Sequence, residues 1–456
     1  MGKHSTTAEN NKFERLFSTD EALAVAVTVR DESKQMLPLE KRYGVEPPQR
    51  RRIHRVPPQL RRRNENRREY DPTIVSLGPY HHGQPELRAA EEVKHRFLDR
   101  LASGSGASKT ALHGTILARI GEFRAYYADD ECVDKFDDGE LATMLLLDAC
   151  LMVALMEGLA GDSDVFLFWH QCLGIATLQF AFPDLMLLEN QLPFPALSLI
   201  VNLRRGKEGA GLINSFLNWF LTGDFKPQIC SKSDGVEELP LHLLEACHRM
   251  LVGSKSPTQK ISGLKFTNPE RDITTRSVMD LKSKGIEVTA SSSCSIRDIK
   301  FIPGAFQKAE LQLPTRMVWS HALSTLSNVI AYEMSPGTAS EFEVLSYANF
   351  MKALTESVED AKELQEKGIF INRFQNQQQL VEELRGVDTF GMDNLEIFKE
   401  VKVEIEEHCK SKAKTWMADL IHTFFASPWT VIALFAAIIL LCLTLVQTYF
   451  TINPLT

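Results

Sequence analysis

Two adjacent histidines, His81 and His82, stand in the stretch PTIVSLGPYHHG, residues 72–83. Imidazoles exchange protons near neutral pH and ligate metals, so the pair raises the question of acid–base or metal chemistry. Two carboxylates join them as candidates. Asp148 interrupts the apolar run ELATMLLLDACLMVALMEG, and Glu189 opens the polar trio Glu189-Asn190-Gln191 within PDLMLLENQLPFPAL. Brought together, His81, His82, Asp148 and Glu189 would form the histidine–carboxylate set of an acid–base site.

Each candidate also has a structural reading, and for each that reading is the favoured one. Gly78-Pro79 and Gly83 mark a turn, and neighbouring side chains in a turning chain point in different directions. The imidazoles are expected to hydrogen-bond locally. A carboxylate buried at Asp148 needs a partner, for which arginine is the expectation. The trio precedes Pro193 and Pro195, which force a bend, and is expected to satisfy backbone groups exposed there. His242 and His248 lie off the i, i+4 spacing of a helical metal pair.

Recognised templates fail. Neither H-E-x-x-H nor C-x-x-C occurs, although the chain has eight cysteines: Cys132, Cys150, Cys172, Cys230, Cys247, Cys294, Cys409 and Cys442. Neither a G-x-S-x-G elbow nor a dinucleotide-binding glycine pattern occurs. SGSGASKT, residues 103–110, departs from a phosphate loop, since Ser108 rather than Gly precedes Lys109 and no strand leads in; a flexible loop is expected. No catalytic residue, metal or cofactor is expected.

The elements that must position these residues read as mainly helical. PELRAAEEVKHRFLDRLAS spaces Leu87, Val93, Phe97, Leu98 and Leu101 on one face. The Asp148 run is apolar nearly all round and reads as a buried core helix. FPDLMLLENQ begins with Pro183 and Asp184 suited to a first helical turn. Helices are also read at PLHLLEACHRMLVG, SHALSTLSNVIAYEM, INRFQNQQQLVEELRGV and NLEIFKEVKVEIEEHC. Another is read at LSYANFMKALTESVEDAKELQEKG, where Tyr347, Phe350, Met351, Leu354, Val358 and Ala361 share a face and Gly368 suits the cap. Residues 284–314 hold a helix end followed by two or three short strands. Residues 1–45 read as a flexible tail with one short helix at most, and residues 252–275 as a polar linker.

Arg50 to Arg68 form an arginine cluster. A lipid-headgroup or nucleic-acid patch is one reading. The interleaved Val56, Pro57, Pro58 and Leu60 favour an extended segment packed on the body, with arginines outward or paired to acids. The formal net charge is −8, which argues against a nucleic-acid binder.

The C-terminus reads SPWTVIALFAAIILLCLTLVQTYFTINPLT. From Trp429 to Val446 there are 18 residues without a charge, roughly 27 Å of helix against about 30 Å of bilayer hydrocarbon. Trp429 and Tyr449 suit the two interfaces. A transmembrane helix is expected, with the amphipathic AKTWMADLIHTFFA leading into it along the interface. Lys410, Lys412 and Lys414 precede it and only TINPLT follows, so the long N-terminal body is expected in the cytosol, tail-anchored. The absence of an N-terminal apolar signal, N-x-[ST] sequons and paired cysteines points the same way. The domain expectation is a tail over 1–45, a helical body over 46–420, a lead-in and membrane helix over 421–450, and a short tail over 451–456.

Several phrases in order carry a resemblance: RIHRVPPQLRRRNENRREYDPTIVSLGPYHHG, LLLDACLMVALM, PDLMLLENQLPFPAL, LKSKGIEV with IKFIPG, SNVIAYE and the terminal apolar run. From about Ile53 to about Thr451 the chain resembles the plant domain-of-unknown-function 247 family, also called uncharacterised protein family 0481. Ala149, Leu151 and Met334 stand where the family often has Gly, Phe and Gln. The resemblance implies a mostly helical land-plant protein with one C-terminal membrane span and no established enzymatic activity. Some grass members are linked to pollen-side recognition in self-incompatibility. The expected partners are the lipid bilayer, through the C-terminal helix, and an unidentified protein; the alternatives are an enzyme with an unfamiliar site or a lipid-surface sensor using the arginines. Oligomeric state is not specified by the sequence.

Overall fold

A computed structural model describes residues 51–63, 69–105, 108–224, 239–253, 276–304, 308–338, 340–374, 376–410 and 428–452. The expected N-terminal tail and the amphipathic lead-in lie outside the described residues, as does the linker expected over 252–275 except for Val252 and Gly253, which end and cap the helix Leu243–Val252.

The Asp148 run folds into the central helix, Asp138–Leu159, which opens with a capping box. Asp137 accepts from Glu140 N at 2.8 Å, and Asp137 N donates to the Glu140 carboxylate at 3.0 Å. Every residue from Leu141 to Glu157 is buried except Thr143. Helices Arg88–Ser105, Lys109–Leu117, Ser163–Leu173, Phe194–Arg205 and Gly209–Thr222 pack around it, which explains why its sequence lacks a polar stripe. It is long and apolar enough to cross a membrane, but 83% of its most apolar stretch lies inside the body. It is the core helix the sequence suggested.

The helix Arg88–Ser105 buries Val93, Phe97, Leu98 and Leu101, and Leu87 just before it is buried too. It runs farther than expected into SGSG. Ser108 then caps Lys109–Leu117 by accepting from Ala111 N at 3.1 Å, so of the flexible loop expected over 103–110, residues 103–105 and 109–110 are helical and 106–107 lie outside the described residues.

Pro183 and Asp184 overturn a local expectation. They do not open a helix; they close Ile175–Asp184. Leu185–Gln191 then turns and straightens before Phe194–Arg205, which starts on Pro193 and has Pro195 in its first turn. Proline suits both ends of this break, which is why its presence misled the reading of polarity.

The stretch expected as one helix from Leu345 to Gly368 divides into Glu343–Leu354 and Val358–Glu366. The second has its own capping box, with Ser357 N donating to Asp360 at 2.8 Å and Asp360 N donating to Ser357 Oγ at 3.2 Å. Tyr347, Phe350, Met351, Leu354 and Ala361 are buried, Val358 is half-buried, and Gly368 follows with φ +71°.

Strands β1 (Ile286–Ser291), β2 (Lys300–Ile302) and β3 (Ala309–Pro314) form a sheet of order β1-β3-β2. β3 is parallel to β1, with Val288 opposite Leu311, and antiparallel to β2, with Phe301 opposite Leu311. The small β element therefore falls where expected. A second pair was not legible: β4 (Arg316–Val318) runs parallel to β5 (Phe370–Asn372), which the sequence assigned to a helix. Three-residue strands carry too little alternation to be read.

The C-terminal residues form the helix Pro428–Ile452, 25 residues long. Its described apolar side chains are exposed, among them Phe435 at 60%, Leu441 at 65%, Val446 at 52% and Tyr449 at 62%. Trp429 belongs to its first turn.

Candidate functional site

The PTIVSLGPYHHG segment passes exposed Thr73 and half-buried Ile74 and is buried from Val75 to His81 without joining a sheet. Many of its backbone groups are nevertheless satisfied by side chains. Asp184 accepts from the N–H groups of Thr73 at 3.0 Å, Ile74 at 2.7 Å and Val75 at 2.9 Å. Asn190 accepts from Leu77 N at 2.6 Å and donates to Val75 O at 2.9 Å and Asp184 O at 2.8 Å. Asp148 accepts from Gly78 N at 2.8 Å, and Lys94 donates to Ser76 O at 2.7 Å. Gly78 has φ +68°, and a Cβ there would lie 2.7 Å from Gln191 O and 2.8 Å from the Tyr127 hydroxyl. Only glycine fits this approach.

The polar trio does what the bend requires. Glu189 accepts from Val56 N at 2.7 Å. Gln191 donates to Leu185 O and Leu187 O, both at 2.8 Å, and accepts from Leu244 N at 3.1 Å.

The two histidines part company. His81 is buried and its Nδ1 faces the Gln84 amide nitrogen at 3.0 Å. With that amide donating, Nδ1 is the acceptor and the neutral ring carries its proton on Nε2. Nε2 lies 3.6 Å from Glu189 Oε2, beyond hydrogen-bond reach, and finds no partner. Burial holds His81 below the ordinary imidazole value, with Glu189 and Asp71 opposing and Arg61 and Arg55 assisting. His82 turns away. Its ring packs edge-on against Phe136 at 5.6 Å, and its Nδ1 is 3.8 Å from Glu91.

Asp148 pairs with a lysine rather than the expected arginine. Lys94 Nζ is 2.6 Å from Asp148 Oδ1 and 2.6 Å from Glu91 Oε1, and the Lys94 and Asp148 side chains are 0% and 1% exposed. Burial pushes the Asp148 carboxyl up, and the Lys94 ammonium opposes it. The signal was present: Lys94 sits among Val93, Phe97 and Leu98 on the apolar face of its helix, where a charge demands a partner.

The structure thus divides the four candidates. His81 and Glu189 meet; His82 and Asp148 belong to the Glu91–Lys94 network on the other side of the turn. His81 and Glu189 line a pocket of about 490 Å³ with Arg55, Val56, Pro58, Arg61, Asp71, Tyr80 and Gln84. Arg61 reaches Asp71 at 2.7 Å and Glu189 at 3.1 Å; Arg55 reaches Asp129 at 2.5 Å and Glu189 at 3.5 Å. The Arg55 guanidinium lies 4.6 Å from the Tyr80 ring centre. Tyr80 donates to Ile53 O at 2.7 Å, tying the arginine segment to the turn.

Four arginines of the cluster, Arg51, Arg52, Arg55 and Arg61, thus pair with carboxylates. Arg51 pairs with Glu245, and Arg52 approaches Asp130 at 3.3 Å. Pro58–Arg63 forms a short helix where an extended chain was expected.

A second cluster escaped the sequence. His248, Glu333 and Glu343 place ligand-type atoms within 4.8 Å of one another, although nothing in their spacing announces it. Glu333 accepts from His248 Nε2 at 2.9 Å, Val344 N at 3.0 Å and Leu345 N at 2.9 Å. Glu343 accepts from Arg297 at 2.7 Å and Glu341 N at 2.9 Å. A cation would have to displace the bonds that cap Glu343–Leu354. His242 caps Leu243–Val252 through Nδ1, accepting from Glu245 N at 3.0 Å, and burial pushes its pKa down to about 4. Cys132, Cys150, Cys172, Cys247, Cys409 and Cys442 are free thiols, whereas Cys294 is disulfide-bonded.

Residues 53–443 match the model of the DUF247 family, described as plant protein of unknown function. The chain belongs to that family. Among curated proteins it is 26% identical to UPF0481 protein At3g47200 of Arabidopsis thaliana over 414 residues, 84% of this chain and 82% of the relative. It is 21% identical to Putative UPF0481 protein At3g02645 of the same plant over 179 residues, 39% of this chain and 33% of that protein. No solved structure matches significantly. The family match covers the turn, the pocket and most of the C-terminal helix.

Two substitutions test this arrangement. Asn190→Ala strips partners from three buried backbone groups and is expected to lower unfolding stability by roughly 2–4 kcal/mol, read by urea denaturation. Lys94→Met leaves Asp148 buried and unpaired, with an expected cost of about 3–5 kcal/mol. Adding Asp148→Leu should recover only part of it: both charges are then gone, but Gly78 N and Ser76 O lose their partners. Equal stability of Lys94→Met and the parent would remove the pair from the account.

Proposed function

We propose that this protein is a membrane-anchored recognition component: the C-terminal helix sits in a bilayer and the helical body binds another protein at its surface. The observation that carries the reading is the exposed apolar surface of Pro428–Ile452. Its 25 residues would rise roughly 38 Å, enough to cross the hydrocarbon with some tilt. In water such a surface is costly, and a bilayer covers it fully.

The arginine cluster gives little support to lipid-headgroup sensing, since Arg51, Arg52, Arg55 and Arg61 all face carboxylates. The His81–Glu189 pair in a pocket favours acid–base chemistry as a second reading, without a nucleophile beside it among the described residues that line the pocket. Lys410, Lys412 and Lys414 support a cytosolic body.

Carbonate extraction of plant microsomes tests the anchor, and protease protection with tags at both ends tests the side. The chain is expected to stay in the membrane pellet and to be released when residues 428–452 are deleted. Digestion of the body with protection of the C-terminal tag is expected. A body extracted by carbonate would end the anchor reading; a protected body would move recognition to the far side of the membrane.

A further inference from the structure

The pocket beside the His81 turn has unused groups of one kind. His81 Nε2 is buried, carries a proton in the neutral tautomer and has no partner. Arg61 spends Nη1 on Asp71 and Nη2 on Glu189; Arg55 spends Nε on Asp129 and Nη1 on Glu189. Among the described residues, Arg61 Nε and Arg55 Nη2 are left over. All three are donors. The acceptors, by contrast, are engaged: Glu189 receives Val56 N and lies against both guanidinium groups, and Asp71 receives Arg61. A cation entering here would meet two arginines. Val56 and Pro58 form an apolar edge to the same space.

We propose that this pocket binds a carboxylate group on a short aliphatic stem, held by His81 Nε2 and the spare N–H groups of Arg55 and Arg61. The inference goes beyond the recognition reading and stands without the membrane anchor. The carboxylate can come from a small organic acid, from an acidic side chain of a peptide or from a peptide C-terminus.

Charge makes the binding proton-linked. The lining balances Arg55 and Arg61 against Asp71 and Glu189, and Asp129, paired with Arg55 outside the lining, leaves the surroundings with one net negative charge before any ligand arrives. A further anion is unfavourable unless something compensates. His81 is the group able to do so: Glu189 and Asp71 face it and favour its cation, while Arg55, Arg61 and burial oppose it. A bound carboxylate adds a third anion beside the ring and raises its proton affinity. Between the free and bound values, binding takes up a proton, so affinity rises as pH falls.

Titration calorimetry on the full chain in detergent, at about pH 5.5 and about pH 7.5, tests this. Three probes separate the sources: glutarate, a peptide blocked at both ends with a single glutamate, and a peptide whose only carboxylate is its C-terminus. At least one is expected to bind roughly tenfold more tightly at the lower pH, with close to one proton taken up, read from buffers of different ionisation heat. His81→Phe is expected to abolish the pH dependence, and the parent's proton uptake decides the matter even if that variant fails to fold. Binding by glutarate alone marks a small-acid site; binding by a peptide marks a docking site for a partner; either supports the carboxylate. No binding by any probe, or binding without proton uptake, overturns the proposal.

Discussion

Residues 75–78, reached through exposed Thr73 and half-buried Ile74, run through the interior without a neighbouring strand, and a buried backbone without partners is unstable. The rest of the body is arranged to supply those partners. Asp184 ends one helix, Asn190 sits in the bend that follows, Asp148 projects from the central helix and Lys94 from the helix beside it. Their four side chains take the place of a β-strand. Asp148 and Lys94 serve twice, because each satisfies the segment and neutralises the other. That explains how two charges survive on helices whose buried faces are otherwise apolar.

The same constraint produces the pocket. Once Gly78 is pinned against Gln191 and Tyr127, the chain turns outward and places Tyr80 against the arginine segment and His81 against Glu189. Glu189 is held by Val56 N, so the acidic residue, the histidine and the two arginines meet through backbone connections that no single helix provides. His82, one residue on, faces Phe136 and Glu91 instead. Position in the turn, not residue type, separates a pocket histidine from one that packs outside it.

Much of this was legible in the sequence. The glycines and proline of LGPYHHG announced a turn, and the helical spacing of Val93, Phe97 and Leu98 held. The Glu189-Asn190-Gln191 trio proved to be a bend that satisfies backbone, as its two prolines indicated. What could not be read was pairing across distance. Lys94 and Asp148 are 54 positions apart, and Arg61 and Glu189 are 128 apart, so a linear chain gives no sign that they meet. Strand β5 was hidden for a related reason: three residues acquire their identity only from β4. Pro183 was read with the wrong polarity because proline is tolerated both in a first turn and at the end of a short helix.

The account's central claim is that side chains hold residues 73–78 as firmly as a sheet would. Amide hydrogen exchange on the full chain measures this directly. The amides of Thr73, Ile74, Val75, Leu77 and Gly78 are expected to exchange as slowly as those of the central helix, through openings close to global unfolding. Exchange at the rate of an exposed loop would contradict the claim, and with it the idea that the pocket is already formed before any ligand arrives.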